Sequence, residues 1–301
     1  MKLSIITPVF NGEKFLEETI TSVLKNSSGL DFEYLVINDG STDRTAEILN
    51  NFSNEIKIIN KVNSGQADSI NEGIRISKGE FGIIVNADDP LMSPDLFSNA
   101  FKILESRSYI VCYPDWMMIS ESGNKLQNKK TKEYSKKRLF GDFNCLPGPG
   151  AVFRLDVAKA ISGWNRNYRY VADYDFWLRL SMHGEFKRIP LTLAKWRFHN
   201  DSTSVSQKNM AMALERIKVI EDFPFQNQIS HALMRRASAS SYFQAAILSF
   251  FDPTIPGRKW FFQSISIQPL ILFRKSPIRS IYLLLHPYSW KMLNLFRARR
   301  G

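Results

Sequence analysis

Cysteine is nearly missing from this chain, with Cys112 and Cys145 its only two and no CxxC spacing between them. That shortage excludes a disulfide framework and a cysteine-rich zinc site, so both read as small buried hydrophobes of a reducing compartment. Long apolar runs are also missing. No stretch reaches about eighteen uninterrupted apolar residues, which argues against a membrane span. The opening run Met1-Lys2-Leu3-Ser4-Ile5-Ile6-Thr7-Pro8 is too short for a signal peptide and reads directly as a strand, so a cytoplasmic location is expected. No GxGxxG follows the first strand and no GxxxxGK[ST] occurs, which removes the phosphate cradles of a dehydrogenase or a P-loop enzyme.

Acidic residues stop at Asp252. Beyond it stand Arg258, Lys259, Arg274, Lys275, Arg279, Lys291, Arg297, Arg299 and Arg300, which supply much of the net charge of +11. The remainder lies close to charge balance, so a basic nucleic-acid groove across the main domain is not expected. The basic residues alternate with Trp260-Phe261-Phe262, Pro269-Leu270-Ile271-Leu272-Phe273 and Ile281-Tyr282-Leu283-Leu284-Leu285. Such a tail reads as lying on an anionic membrane surface, peripheral at the inner face of the cell membrane. Helices packed on the catalytic domain or on a partner subunit are the alternative, and homo-oligomerisation stays open.

At 301 residues the chain can hold one sizeable α/β domain and a smaller appendage. Leu3 to Thr7 and Glu33 to Ile37 are β-rich, and between them Leu16, Ile20, Val23 and Leu24 recur at helical spacing. The alternation continues through a helix near Thr42 to Asn51, a strand Ile56 to Ile59, a helix near Ala67 to Ser77 and a strand Phe81 to Val85. This implies a mainly parallel sheet covered on both faces, with ligands at the carboxyl ends of its strands. Ser93-Pro94 opens a helix to about Glu105, Ala151 to Arg154 is strand-like, and helices are expected over Leu155 to Ile161 and Tyr174 to His183. Lys125 to Arg138 reads as an exposed loop, either a solvated face or a flap over a phosphorylated acceptor. Strand signals fade beyond Asn200. The expected division is a catalytic domain over 1–203 and a helical, basic, amphipathic extension over 204–301.

Three segments carry acids just after strands or at the start of a helix. In Ile37-Asn38-Asp39-Gly40-Ser41-Thr42-Asp43, Asp39 could accept hydrogen bonds from a nucleobase imide or a ribose, or the segment could be only a turn capped by Ser41 or Thr42. In Val85-Asn86-Ala87-Asp88-Asp89-Pro90, adjacent carboxylates suit a magnesium or manganese ion that keeps positions open for phosphate oxygens, or form a solvated loop. In Ala172-Asp173-Tyr174-Asp175-Phe176-Trp177-Leu178-Arg179-Leu180, either aspartate could serve the helix dipole or act as a general base. His199, closing Trp196-Arg197-Phe198-His199, could be an ordinary structural histidine.

In this order the segments resemble the family 2 glycosyltransferases. The blocks that carry the resemblance are Ser4-Ile5-Ile6-Thr7-Pro8-Val9-Phe10-Asn11, Asn38 to Asp43, Asn63 to Gly73, Asn86 to Asp89 and Asp173 to Arg179, over about two thirds of the chain. The resemblance implies a GT-A fold, α/β with a mainly parallel central sheet, followed by a C-terminal helical extension. It implies that Thr7 and Pro8 line the nucleotide pocket, that Asp39 recognises the base and that Asp88 lies near the ribose and metal. Asp89 and His199 would ligate a divalent metal, Mn2+ or Mg2+, and Asp173 would be the catalytic base of an inverting transfer.

Four positions depart from that pattern: Asn38, Asn86, Ala172 before the base, and Asn165 in the turn Gly163-Trp164-Asn165. Pro147-Gly148-Pro149-Gly150 would form an acceptor wall or a rigid connector. The expected activity moves a sugar from a nucleotide sugar, a UDP-sugar, to a glycan or lipid-linked glycan in cell-surface polysaccharide synthesis. The rival is a catalytically silent sugar-nucleotide or membrane-binding module of the same fold.

Overall fold

The computed structural model describes residues 1–200 and 209–274. These divide into two compact units. One comprises residues 1–135 with 145–200, and the other residues 136–144 with 209–274.

The first unit is built on an eight-stranded sheet. Strands β1 (Leu3–Val9), β2 (Phe32–Asp39), β3 (Lys57–Lys61) and β4 (Phe81–Ile84) pair in parallel in the order β3-β2-β1-β4. Every residue of β1 is buried, as expected for a central strand covered on both faces. Helix α1 (Leu16–Asn26) buries Leu16, Thr19, Ile20 and Val23, the i, i+3, i+4, i+7 stripe visible in the sequence. Helices α2 (Thr45–Asn51) and α3 (Gln66–Ile76) complete the crossovers. The chain runs β1 to β3 on one side of β1 and returns with β4 on the other. The C-terminal ends of β1 and β4 therefore form a topological switch point, where open α/β sheets bind ligands.

After α4 (Asp95–Leu104), β5 (Tyr109–Ile119), β6 (Lys125–Lys129), β7 (Val152–Arg154) and β8 (Glu185–Arg197) extend the sheet. Strand β8 runs parallel to β5, whereas β7 against β4 and β5, and β6 against β5, are antiparallel. The sheet is thus mixed and mostly parallel. Residues Lys125–Lys129, expected as loop, form an edge strand with all five residues exposed. A strand wet on both sides carries no apolar alternation, and its lysines guard the sheet edge against further pairing. Helices α5 (Leu155–Ala160) and α6 (Ala172–Leu180) stand between β7 and β8.

The second unit contains a π-helical turn Lys137–Gly141 and helices α7 (Met210–Glu221), α8 (His231–Ile247) and α9 (Gly257–Ile267). Phe243 on α8 meets Phe261 on α9 at 6.0 Å between ring centroids, and Ser264 Oγ donates to the Ala239 carbonyl at 2.6 Å. The turn joins this unit through Phe140, which packs edge-on against Phe223 at 4.8 Å. The aromatic run Trp260-Phe261-Phe262 is accordingly split, with Phe261 fully buried and Phe262 exposed. The segment Ile281 to Leu285, like most of the tail arginines, lies outside the described residues. No helix among the described residues is long and apolar enough to cross a membrane.

Candidate active site

Strands β1, β2 and β3 end side by side. Their register pairs Val9 with Asn38, Asn38 with Asn60 and Asp39 with Lys61. Asp39 and Lys61 consequently stand abreast at the carboxyl edge, and Phe10 directly follows β1. Asp39 is buried, and its carboxylate accepts the Ser64 amide on Oδ1 (2.9 Å), the Gly65 amide on Oδ2 (2.8 Å) and the Lys61 ammonium on Oδ1. Burial alone would raise its pKa, but Lys61 and the two amides outweigh it and hold the carboxyl below its ordinary value. Phe10 and Val62, large and apolar, are exposed at this edge. Phe10 and Lys61 were not singled out from sequence, although a β2–β3 register would have paired Lys61 with Asp39.

Thr7 and Pro8, expected at the nucleotide pocket, sit near the carboxyl end of β1. Both are buried in β1, and the Thr7 hydroxyl is spent on Tyr34 Oη at 3.0 Å. Alternation in a strand covered on both faces leaves neither side chain in solvent.

The loops after β1 and β2 are stitched together. Asn11 donates its amide to Ser41 Oγ (3.0 Å) and accepts the Thr42 amide (2.8 Å), while the Gly12 and Glu13 amides reach Thr45 Oγ1 (2.8 Å) and Asp43 Oδ2 (3.0 Å). Neither Ser41 nor Thr42 caps α2; the helix starts at Thr45, whose amide binds Asp43 Oδ1. Gly40 has φ +71°, and a Cβ there would lie 2.8 Å from the Asn63 nitrogen, so only glycine fits. Asn38 donates to Asn60 Oδ1 (2.9 Å) and accepts the Ser41 amide (3.1 Å). An ionised aspartate could not do both.

After β4, the two adjacent acids separate. Asp89 is buried, and its oxygens accept the Arg197 amide (2.8 Å) and the Asn86 side-chain amide (3.0 Å). Burial and the neighbouring Asp88 push its carboxyl well above the ordinary range. Asn86 donates where an aspartate would repel, which accounts for the departure at that position. Asp88 instead turns its Oδ2 to His199 Nε2 at 2.8 Å, and the Phe15 ring packs 5.1 Å from the imidazole. At the expected metal site Asp88 is the acid beside His199, and Asp89, expected as a metal ligand, has its oxygens on the Arg197 backbone amide and the Asn86 side chain. Among the described residues no three His, Cys, Asp or Glu gather as a cation cage. A carboxylate oxygen beside an imidazole nitrogen, whose Nδ1 is buried without a partner, fits a divalent ion that takes its remaining oxygens from a diphosphate.

Asp173 and Asp175 differ just as plainly. Asp175 is buried, and its Oδ2 accepts Arg179 Nε at 2.7 Å; Arg179 also donates to the Ile161 (2.7 Å) and Gly163 (2.6 Å) carbonyls. That turn is held from the other side by Asn71 on α3, which donates to the Trp164 carbonyl (2.8 Å) and accepts its amide (2.7 Å). Asp175 is thus structural. Asp173, at the start of α6, keeps an exposed side chain and makes one short-range contact, accepting the Tyr174 amide at 2.7 Å. Protein nonetheless surrounds the carboxyl closely enough that burial raises its pKa. Cys145 shares that setting. It was expected to be buried, but it is exposed; its thiol donates to the Pro147 carbonyl at 3.3 Å, and burial with the nearby Asp173 charge raises its pKa.

An open sheet with acids presented after β2 and after β4, and a further acid at the start of α6, offers carboxylates suited to a nucleotide, a cation and a proton. Solved structures share this fold. S. aureus TarS in complex with UDP-GlcNAc superposes with a TM-score of 0.59 over 90% of this chain and 91% of that one, at 14% identity. The mannosyltransferase PcManGT from Pyrobaculum calidifontis, in complex with GDP-Man and Mn2+, gives 0.57 over 96% and 86%, at 13% identity. The architecture is that of the GT-A glycosyltransferases.

In sequence, Glycosyl transferase family 2 matches residues 4–162. An uncharacterized glycosyltransferase of Haemophilus influenzae is 30% identical over 67% of each chain. The hyaluronan synthase of Pasteurella multocida is 26% identical over 68% of this chain, which spans only 21% of that synthase. The chain belongs to the family 2 glycosyltransferases.

Proposed function

We propose that this glycosyltransferase is a metal-dependent, inverting enzyme that moves a sugar from a UDP-sugar to a glycan or lipid-linked glycan acceptor in surface polysaccharide synthesis. The observation that carries it is the division of the adjacent acids, with Asp88 turned to His199 at the switch point while Asp89 is spent inside the turn. Asp39 receives the base. Asp88 and His199 would hold the cation, which when bound would neutralise the leaving diphosphate. Asp173 accepts the proton of an acceptor hydroxyl as that oxygen bonds to the anomeric carbon and the bond to the diphosphate breaks from the opposite face. Burial raises the pKa of Asp173, which makes it a stronger base than an ordinary carboxylate. The hyaluronan and chondroitin synthases among the relatives support a polysaccharide setting. The catalytic domain over 1–203, its helical extension and attachment to the inner membrane face belong to the same proposal.

The test is donor turnover by the full chain, read as nucleotide release from UDP-sugars with and without Mn2+. Cation-dependent release is expected. Tight binding of UDP-sugars without any release, with or without added glycans, would favour the catalytically silent module instead.

A further inference from the structure

The β2–β3 register that brings Asp39 and Lys61 abreast also limits what Asp39 can accept. A carboxylate offers about four acceptor positions, two on each oxygen. Oδ1 takes the Lys61 ammonium and the Ser64 amide (2.9 Å), and Oδ2 takes the Gly65 amide (2.8 Å). One position is left, on Oδ2. Lys61 is equally committed, because its ammonium donates to Asp39, to the Val62 carbonyl (3.0 Å) and to Ser64 Oγ, using all three protons. Asp39 is only 3% exposed, so water has little room to serve a partner left unpaired.

We infer that Lys61 is the specificity-determining residue for the donor base: by filling Oδ1 it leaves Asp39 a single acceptor position, which selects uracil or thymine and rejects guanine. This rests on Asp39 being the acceptor for the nucleobase. Uracil and thymine present one imide N–H between two carbonyls, which one acceptor satisfies. Guanine presents two parallel N–H groups that need one acceptor on each oxygen, and Oδ1 has none to give. Cytosine and adenine carry a bare ring nitrogen at that edge, whose lone pair would face the carboxylate. Lys61 acts through Asp39 and need not touch the base.

The experiment is calorimetric titration of the full chain, with Mn2+ present, by UDP, dTDP and GDP. An N–H left unpaired in a buried site weakens binding by roughly tenfold or more, so wild type should hold UDP and dTDP at least about tenfold tighter than GDP. Lys61→Met frees Oδ1 and should bring the GDP to UDP ratio to within about threefold, while Lys61→Arg keeps the pairing and the preference. Lys61→Ala, with circular dichroism on each protein, guards against a variant that does not fold. A general loss of stability would weaken all three nucleotides alike and leave the ratio unmoved, which would overturn the role of Lys61. Wild type that binds GDP as tightly as UDP would overturn it too, with Asp39 as a base acceptor left standing. Failure to bind any of the three would overturn both.

Discussion

Arg197 gives its backbone amide to Asp89 Oδ1 at 2.8 Å, and its guanidinium, 1% exposed, holds the rest of that turn. Nε donates to the Asp88 carbonyl (3.0 Å), Nη1 to the Ser120 (3.3 Å) and Glu121 (2.9 Å) carbonyls, and Nη2 pairs with Glu18. The guanidinium lies 4.7 Å from the Phe15 ring centroid, on the aromatic that packs against His199. A buried arginine satisfied on every arm fixes the backbone from which Asp88 projects.

Asp88 and Asp89 should therefore fail in different ways. Asp89→Ala strands the Arg197 amide and the Asn86 side chain, and should lower stability by about 1–3 kcal/mol in chemical denaturation. Asp88→Ala, on a partly exposed side chain, should leave stability nearly unchanged but abolish the gain in UDP affinity that Mn2+ confers. If instead Asp89→Ala folds as stably as wild type and alone loses the Mn2+ effect, the assignment of the two acids is reversed.

Asp173→Asn keeps the shape of the side chain but cannot take the acceptor proton. Transfer should fall by roughly a hundred- to ten-thousand-fold, with UDP-sugar affinity within about twofold of wild type. Single-turnover kinetics beside calorimetry separates these quantities, and near-normal turnover would remove Asp173 from the chemistry.

The same carboxyl makes a statement about pH. Burial raises its folded-state pKa above the unfolded value, so the folded state holds the proton more tightly. Its favourable contribution is present below the unfolded pKa and is lost as pH rises through the folded one. Asp173→Asn should consequently melt at a higher temperature than wild type near neutrality, with the difference shrinking toward acid. Equal melting temperatures across the range would show that the carboxyl carries no such cost.

Asp175 and Arg179 form a buried pair that also holds the Ile161–Gly163 carbonyls. Asp175→Ala leaves the guanidinium without its counter-charge and should cost about 3–5 kcal/mol by denaturant titration. Gly163→Ala should disturb the same turn from its other side, because Gly163 has φ +66° and an added Cβ would lie 2.2 Å from Asn71 Oδ1. A neutral Asp175→Ala would mean that the turn is held by other contacts.

Membrane attachment is tested by liposome flotation, comparing the full chain with one ending after Arg274. The cut falls there because Phe261 is in a helical core and an earlier one would expose it. Six basic residues are lost with the segment, Lys275, Arg279, Lys291, Arg297, Arg299 and Arg300. Each contributes on the order of 1 kcal/mol beside anionic lipid. The full chain should float with anionic vesicles at low salt and the shortened one should not. If both stay in the soluble fraction, the tail is ordinary packing.

The linear chain by itself determined the βα alternation, the family and the candidate acids. Those follow from apolar periodicity and from the placing of Asp39, Asp88 and Asp173 after strands or at a helix start, all of which are local. Tertiary structure alone decided which of two near neighbours is presented: Asp88 and not Asp89, Asp173 and not Asp175. In a tight turn or a helical first turn, adjacent acids point in different directions, and their fates depend on partners far away in sequence. Asp89 answers to Arg197, and the Asp175–Arg179 pair to a turn that Asn71 holds across 93 residues. Asp39 meets Lys61 only through the β2–β3 register. No propensity or spacing encodes such pairings, because they arise when strand order brings distant ends of the chain to the same edge.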